Sequence, residues 1–315
     1  MNSYLFPAAA VLLILAGLFV LHRLRRLRPA GTSGRAEAVG DFYDRHGEAF
    51  LQVYGDVIQA FRTNEVSRLL DYQAQAMGLK PGMRLLDAGS GVCGPAAWFA
   101  TKYSVTVDAV NISEVQTLTA ADRIERDGLT GKVNSIRGDY HRLPQFLPES
   151  SYDVVYFLES FGHSPDKGAA IRSAWQMLKP GGLLYIKDLF AREAALPGHS
   201  RAIRENIARI DKAYHYQVGD VYDVLRHLRR QGFILSSLKT VDIPLEDFEN
   251  LSISNQFQDL TGINRIDQLQ DYLFPVDFFE ISCIKPWYDP GKGDNRYFFQ
   301  NLYHLQVLKT PVNEL

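Results

Sequence analysis

The chain has 315 residues, a net charge of −2 and 46% apolar residues, values of a folded globular protein with room for one large domain or two small ones. There is no basic excess, so no nucleic-acid partner is expected. The two cysteines, Cys93 and Cys283, are too few for a disulfide framework and indicate a reducing compartment.

Residues 5–21 carry no charge and are almost wholly apolar, and His22-Arg23-Leu24-Arg25-Arg26-Leu27-Arg28 follows at once. That length is at the short end of a membrane span. The basic flank on its C-terminal side is the reverse of a cleaved signal peptide. The positive-inside rule then places the remainder in the cytoplasm. The expectation is a single-pass membrane protein, with residues 1–28 as anchor and basic flank and the membrane engaged through residues 5–21. A buried or amphipathic helix is the competing reading, but the run is apolar on every face. Residues 29–40 open with Pro29-Ala30-Gly31-Thr32-Ser33-Gly34 and read as a flexible linker. Leu51, Tyr54, Val57, Ile58 and Phe61 recur at helical spacing and predict a helical cap over 41–80.

From residue 84 strand and helix signals alternate. Strands are predicted at 84–87, 105–110, 133–137, 152–158, 183–187 and 233–240, with another at 304–308. Helices are predicted at 94–102, at 113–127 with Ser113 as N-cap, at 168–178, and at 221–231 ending on Gly232. This order implies a parallel sheet with helices on both faces. Ligands of such sheets bind beyond the carboxyl ends of the strands. There the sequence places Asp87, Asn111, Asp139, Glu159 and Asp188. Residues 191–218 and 242–302 break the alternation. The second is rich in Phe, Tyr and Trp, and reads either as a local core or as a lipophilic lid.

The stretch Leu85-Leu86-Asp87-Ala88-Gly89-Ser90-Gly91-Val92-Cys93-Gly94 is an apolar strand, a carboxylate and a glycine turn that opens a helix. Glycines let a ligand lie against the backbone, and the helix start points N–H groups at it. Gly89, Gly91 and Gly94 formally satisfy the dinucleotide fingerprint. Asp87 would repel a pyrophosphate, whereas the amino group and sulfonium of S-adenosylmethionine suit a carboxylate. Spacing alone leaves both ligands open.

Five segments taken together decide the resemblance: residues 85–94, Val107-Asp108-Ala109-Val110-Asn111-Ile112-Ser113, Gly138-Asp139-Tyr140-His141-Arg142-Leu143-Pro144, 151–160, and 177–188 with its Lys179-Pro180-Gly181-Gly182 turn. Over about residues 40–240 the chain resembles a class I S-adenosylmethionine-dependent methyltransferase. It is most similar to the branch of sterol and tocopherol C-methyltransferases and cyclopropane synthases. The branch-level likeness rests on Asn111–Gln116, on Glu159-Ser160 with His163, and on Tyr43-Asp44 and Tyr54-Gly55. The resemblance fades after about residue 240, and the aromatic sterol-side motif is missing after Gly55.

The resemblance implies a Rossmann-like, seven-stranded sheet with S-adenosylmethionine as cofactor. The core would span 81–241, and residues 242–315 would form an insertion or lid and the last strand. It implies that Asp87, Gly89, Ser90, Gly91 and Gly94 hold the methionine portion. Asn111 and Gln116 would reach the ribose, Asp139 the adenine amino group, and Tyr140 the adenine face. Glu159 would meet the cofactor and, with His163, act where cofactor meets acceptor. The competing roles are an Asx turn for Asn111, a helix cap for Asp139, and a structural histidine for His163. No metal is expected, because the eight histidines lack metal-site spacing.

The leading expectation is methylation of a lipophilic small molecule, first at carbon of an isoprenoid or sterol-like alkene. Methylation at oxygen or nitrogen of a quinone, a lipid headgroup or another small molecule is the alternative. A nicotinamide-dependent oxidoreductase stands behind both, disfavoured by Asp87 and the Lys-Pro-Gly-Gly turn.

Overall fold

The computed structural model describes residues 33–63, 65–241, 250–263 and 274–287. Two helices lead in, α1 (Ser33–Tyr54) and α2 (Val66–Ala76). The core then alternates: β1 (Arg84–Ala88), α3 (Gly94–Tyr103), β2 (Thr106–Asn111), α4 (Glu114–Arg126), β3 (Val133–Arg137), β4 (Tyr152–Leu158), α5 (Lys167–Met177) and β5 (Leu178–Ala191). It continues with α6 (His199–Tyr214), α7 (Val221–Gln231), β6 (Ile234–Thr240), α8 (Asn250–Thr261) and β7 (Val276–Ile284). Short 3₁₀ turns at Tyr140–Gln145 and Phe161–His163 follow β3 and β4.

The seven strands form one sheet in the order β3-β2-β1-β4-β5-β7-β6, with β7 antiparallel to both neighbours. The parallel strands read as near-continuous apolar runs because helices cover both faces. Leu85, Leu86 and Ala88 in β1 have no exposed surface. One face packs Leu86, Val155, Phe157 and Ile186 against α5 and α7. The other packs Leu85, Val107, Tyr156 and Tyr185 against α2, α3 and α4. Each fully buried side chain of this size contributes about 1.5–3 kcal/mol.

Ser113 begins α4 as expected: its hydroxyl accepts from the Gln116 N–H at 3.1 Å and donates to Asp44 at 2.5 Å. One serine therefore caps α4 and fastens α1 to it. Ser113→Ala should lower stability by about 1–2 kcal/mol; an unchanged urea midpoint would contradict this.

Several expectations are corrected. Among the described residues no helix is long and apolar enough to cross a membrane. The single-pass arrangement, and the cytoplasmic placement that depended on it, are therefore not supported; residues 5–21, on which they rested, lie outside the described residues. The linker expected to residue 40 is helical from Ser33 onward. The seventh strand of the sheet is Val276–Ile284; residues 304–308, where one was expected, lie outside the described residues. Phe278 and Phe279, read as part of an aromatic insertion, are strand residues paired with β5. Residues 191–218 are largely helix α6. Phe257 of α8 stacks on Phe50 of α1 with centroids 4.2 Å apart, so that part of the insertion covers the N-terminal helix rather than the strand ends.

Candidate active site

A cavity opens at the carboxyl ends of β1, β2 and β4, where ligands of such sheets bind. The parallel register fixes its floor: Asp87 lies beside Ala109 of β2 and Tyr156 of β4. Asp87, Gly89, Ser90, Gly91, Asn111, Gln116, Asp139, Tyr140, Glu159 and His163 all line it. Residues from four separate loops thus meet in one place, as the strand-end reading requires.

The glycine turn owes its shape to left-handed backbone at Gly89 (φ +94°) and Gly91 (φ +54°). A Cβ on Gly89 would come within 2.4 Å of Ser160, so the loop after β4 needs this glycine. Gly94 differs from the expectation. It does not line the cavity; a Cβ there would lie 2.0 Å from the Asp56 carbonyl oxygen. The third glycine admits another backbone rather than a ligand.

The Asp87 carboxyl is pushed up to about 7, because burial disfavours its charge more than the Tyr156 hydroxyl, donating at 3.1 Å, favours it. A buried carboxylate facing a cavity in this way gains from a cationic partner. The Asn111 amide donates to the Gly91 carbonyl at 3.1 Å and to Gln116 Oε1 at 2.8 Å. Gln116 is 2% exposed, and its Nε2 is buried without a protein partner. An orphaned buried donor on a ligand cavity asks for an acceptor from the ligand. Asp139 caps the following 3₁₀ turn, accepting from the His141 N–H at 2.9 Å and from His141 Nδ1 at 2.5 Å. Burial pushes its carboxyl up, but these His141 bonds outweigh it and hold the group below the usual range. The helix-cap role is therefore present, and Asp139 still faces the cavity.

Asp139, His141 and Ser164 have the connectivity of a nucleophile triad, with His141 Nε2 2.8 Å from Ser164 Oγ. Ser164 is 1% exposed and off the cavity wall, so it has no access to an acyl group.

Glu159 is not a free carboxylate. It accepts from the Ala60 N–H at 2.6 Å and the Phe61 N–H at 3.2 Å, and it pairs with buried Lys187. His163 is the group left available. Its Nδ1 lies 3.2 Å from the His215 carbonyl, which can only accept, so Nδ1 carries the hydrogen. Nε2 then accepts from the Tyr43 hydroxyl at 2.9 Å. Burial drives the imidazole down to about 4, so it is neutral at physiological pH. Tyr43, on α1, lines the same cavity. The aromatic, N-terminal position of Tyr43 was visible in the sequence, but its partner across 120 residues was not. Asp188, expected at the end of the fifth strand, lies within β5 and off the cavity wall. It accepts from the Tyr216 hydroxyl at 2.6 Å and the Gly162 N–H at 2.9 Å, a structural tie.

Residues 86–186 match the family model described as a methyltransferase domain. The chain is 36% identical over 211 residues to the 27-O-demethylrifamycin SV methyltransferase of Amycolatopsis mediterranei, spanning 65% of this chain and 74% of that one. The chain belongs to the S-adenosylmethionine-dependent methyltransferases. A second relative of this methyltransferase, a sterol 24-C-methyltransferase of Gibberella zeae, is 36% identical over 123 residues, covering 39% of this chain and 32% of the relative. Among solved structures, the [4+2]-cyclase SpnF superposes with a TM-score of 0.67 at 21% identity, over 80% of this chain and 96% of that one. At that identity it speaks for the fold alone. The methyltransferase takes S-adenosylmethionine, and the chemistry of the cavity fits it: a buried carboxyl, an orphaned amide donor and glycine backbone that allows close approach.

Proposed function

We propose that this methyltransferase methylates a hydroxyl oxygen of a lipophilic, uncharged small molecule, with the Tyr43–His163 pair removing the proton. The observation that carries the reading is that the neutral imidazole and its tyrosine partner face the cavity while Glu159 is fully engaged by Lys187 and two backbone N–H groups. When bound, S-adenosylmethionine supplies an electrophilic methyl group on a sulfonium. The residues of the chain must align the acceptor and remove one proton. The Tyr43 oxygen can accept from the acceptor hydroxyl as its own hydrogen moves to His163 Nε2. An oxygen that is gaining a methyl group becomes strongly acidic, so a base titrating near 4 suffices.

Asp87 supports placing the amino-acid portion of the cofactor at the β1 end, with Asn111 and Gln116 toward the ribose and Asp139 with Tyr140 toward the adenine. Among the described residues lining the cavity none is Lys or Arg, which favours an uncharged acceptor over a phosphorylated one. The 27-O-demethylrifamycin SV methyltransferase, whose name specifies an oxygen, points the same way.

The second reading is carbon methylation of an alkene, favoured by the sterol methyltransferase likeness. It needs a carboxylate or aromatic faces beside a carbocation; here Glu159 is neutralised by Lys187, which leaves the rings of Tyr43 and Tyr140 on the cavity wall. Methyl-labelled S-adenosylmethionine, incubated with the full chain and a neutral organic extract, separates the two. Label lost on ether cleavage of the product is expected; label that survives ether cleavage would contradict oxygen methylation.

A further inference from the structure

Lys187 sits within β5 and its side chain has no exposed surface. A buried ammonium persists only when its charge and its three N–H donors are all met. Its acceptors are Gln59 Oε1 at 2.7 Å, the Phe61 carbonyl at 2.8 Å and the Glu159 carboxylate. Glu159 itself accepts from the N–H groups of Ala60 and Phe61. Every partner of Lys187 is thus on residues 59–61 or on the carboxylate that holds them. Glu159 reaches them from a left-handed backbone, φ +56°, uncommon for a residue with a side chain.

Residues 56–61 also lie across the glycine turn. Ile58 Cδ1 is 3.6 Å from where a Gly91 Cβ would stand, and the Asp56 carbonyl rests on Gly94. Asp56, Ile58 and Gln59 line the cavity, whereas Lys187 does not. The segment is neither helix nor strand, so side-chain ties hold it; Arg123 on Asp56, Gln73 on Gln59 and the burial of Val57 add to those of Lys187 and Glu159.

We propose that Lys187 is a positioning residue: with Glu159 it holds residues 56–61 as a strap across the glycine turn, and the strap retains the bound cofactor. Glu159 acts through the strap rather than on the acceptor. Gly94 serves the same end by admitting the Asp56 carbonyl.

Two variants of the full chain test this independently. Lys187→Met removes the ammonium and leaves Glu159 buried without a counter-charge, the costly way to break such a pair. Gly94→Ala pushes the Asp56 carbonyl away without touching the pair. Amide exchange at residues 60 and 61 is read without ligand, with β1 amides as the control for the fold. Dissociation of S-adenosylhomocysteine is read separately. Both variants should exchange the strap amides and release S-adenosylhomocysteine about tenfold faster than the parent chain, with β1 exchange unchanged. If Lys187→Met also loosens β1, Gly94→Ala decides. Release at the parental rate from a variant whose strap amides exchange fast would overturn the proposal, as would unchanged strap exchange in Lys187→Met.

Discussion

Asp87→Asn is expected to weaken S-adenosylhomocysteine binding about 100-fold at pH 7.5, since losing one partner of a buried charge pair costs about 2–5 kcal/mol. Asp87 sits at the floor of the cavity with the Tyr156 hydroxyl as its protein donor, and burial pushes its carboxyl up to about 7. A ligand ammonium needs the ionised form. Below pH about 7 binding must therefore expel a proton, and affinity in the parent chain should fall about tenfold per pH unit. The variant should lack that slope. Stability should move the other way. The unfolded chain releases this proton near its ordinary value of 3.8, the folded chain near 7, so the unfolded state binds fewer protons in between. Asp87 thus destabilises the ligand-free protein progressively as pH rises from about 4 to about 7, by at most about 4 kcal/mol. Asp87→Asn should make the empty protein more stable at neutral pH while making it a poorer binder. Thermal melts at pH 5 and pH 7.5 check this; a variant that binds as well as the parent would contradict the role.

His163→Asn should lower kcat about 100-fold while leaving the dissociation constant of S-adenosylhomocysteine within about twofold, the pattern of a lost general base. Asparagine can still donate to the His215 carbonyl, which preserves the contact that Nδ1 makes, but offers no basic nitrogen to Tyr43. Tyr43→Phe should lower kcat by about tenfold or more for the same reason. Burial lowers the imidazole to about 4. The neutral, acting form is therefore complete above pH about 5 and is lost as pH falls through 4. At saturating cofactor kcat should be flat from pH 5.5 to 8, with the Asp87 titration showing only in kcat/KM for S-adenosylmethionine. Initial rates on the acceptor identified by labelling check both. Parental kcat in His163→Asn would remove His163 from the chemistry.

The alternating core was legible because each parallel strand is buried on both faces and so reads as an apolar run ended by a polar residue. The segments at 133–137, 152–158 and 221–231 coincide with β3, β4 and α7. The convergence of Asp87, Asn111, Asp139 and Glu159 followed from strand direction alone. What stayed hidden depends on long-range pairing. β7 was missed because Phe278 and Phe279 lie in an aromatic-rich stretch that reads equally as a lid, and its antiparallel partner β5 is about ninety residues away. The contact of the third glycine stayed hidden because a motif records that a Cβ is forbidden, not which neighbour forbids it; here it is Asp56. Glu159 looked catalytic because nothing local reveals Lys187 beneath it. One signal was available: a lone lysine within the apolar run Leu183-Leu184-Tyr185-Ile186-Lys187 must find a buried counter-charge. The anchor expected from residues 5–21 has no support among the described residues.

Asp87 is proposed to receive the ammonium of the cofactor in this cavity. Calorimetric titration of S-adenosylhomocysteine at pH 6, in two buffers of different ionisation enthalpy, counts the protons exchanged on binding. Release of close to one proton is expected from the parent chain and almost none from Asp87→Asn. Equal proton release from both would contradict it.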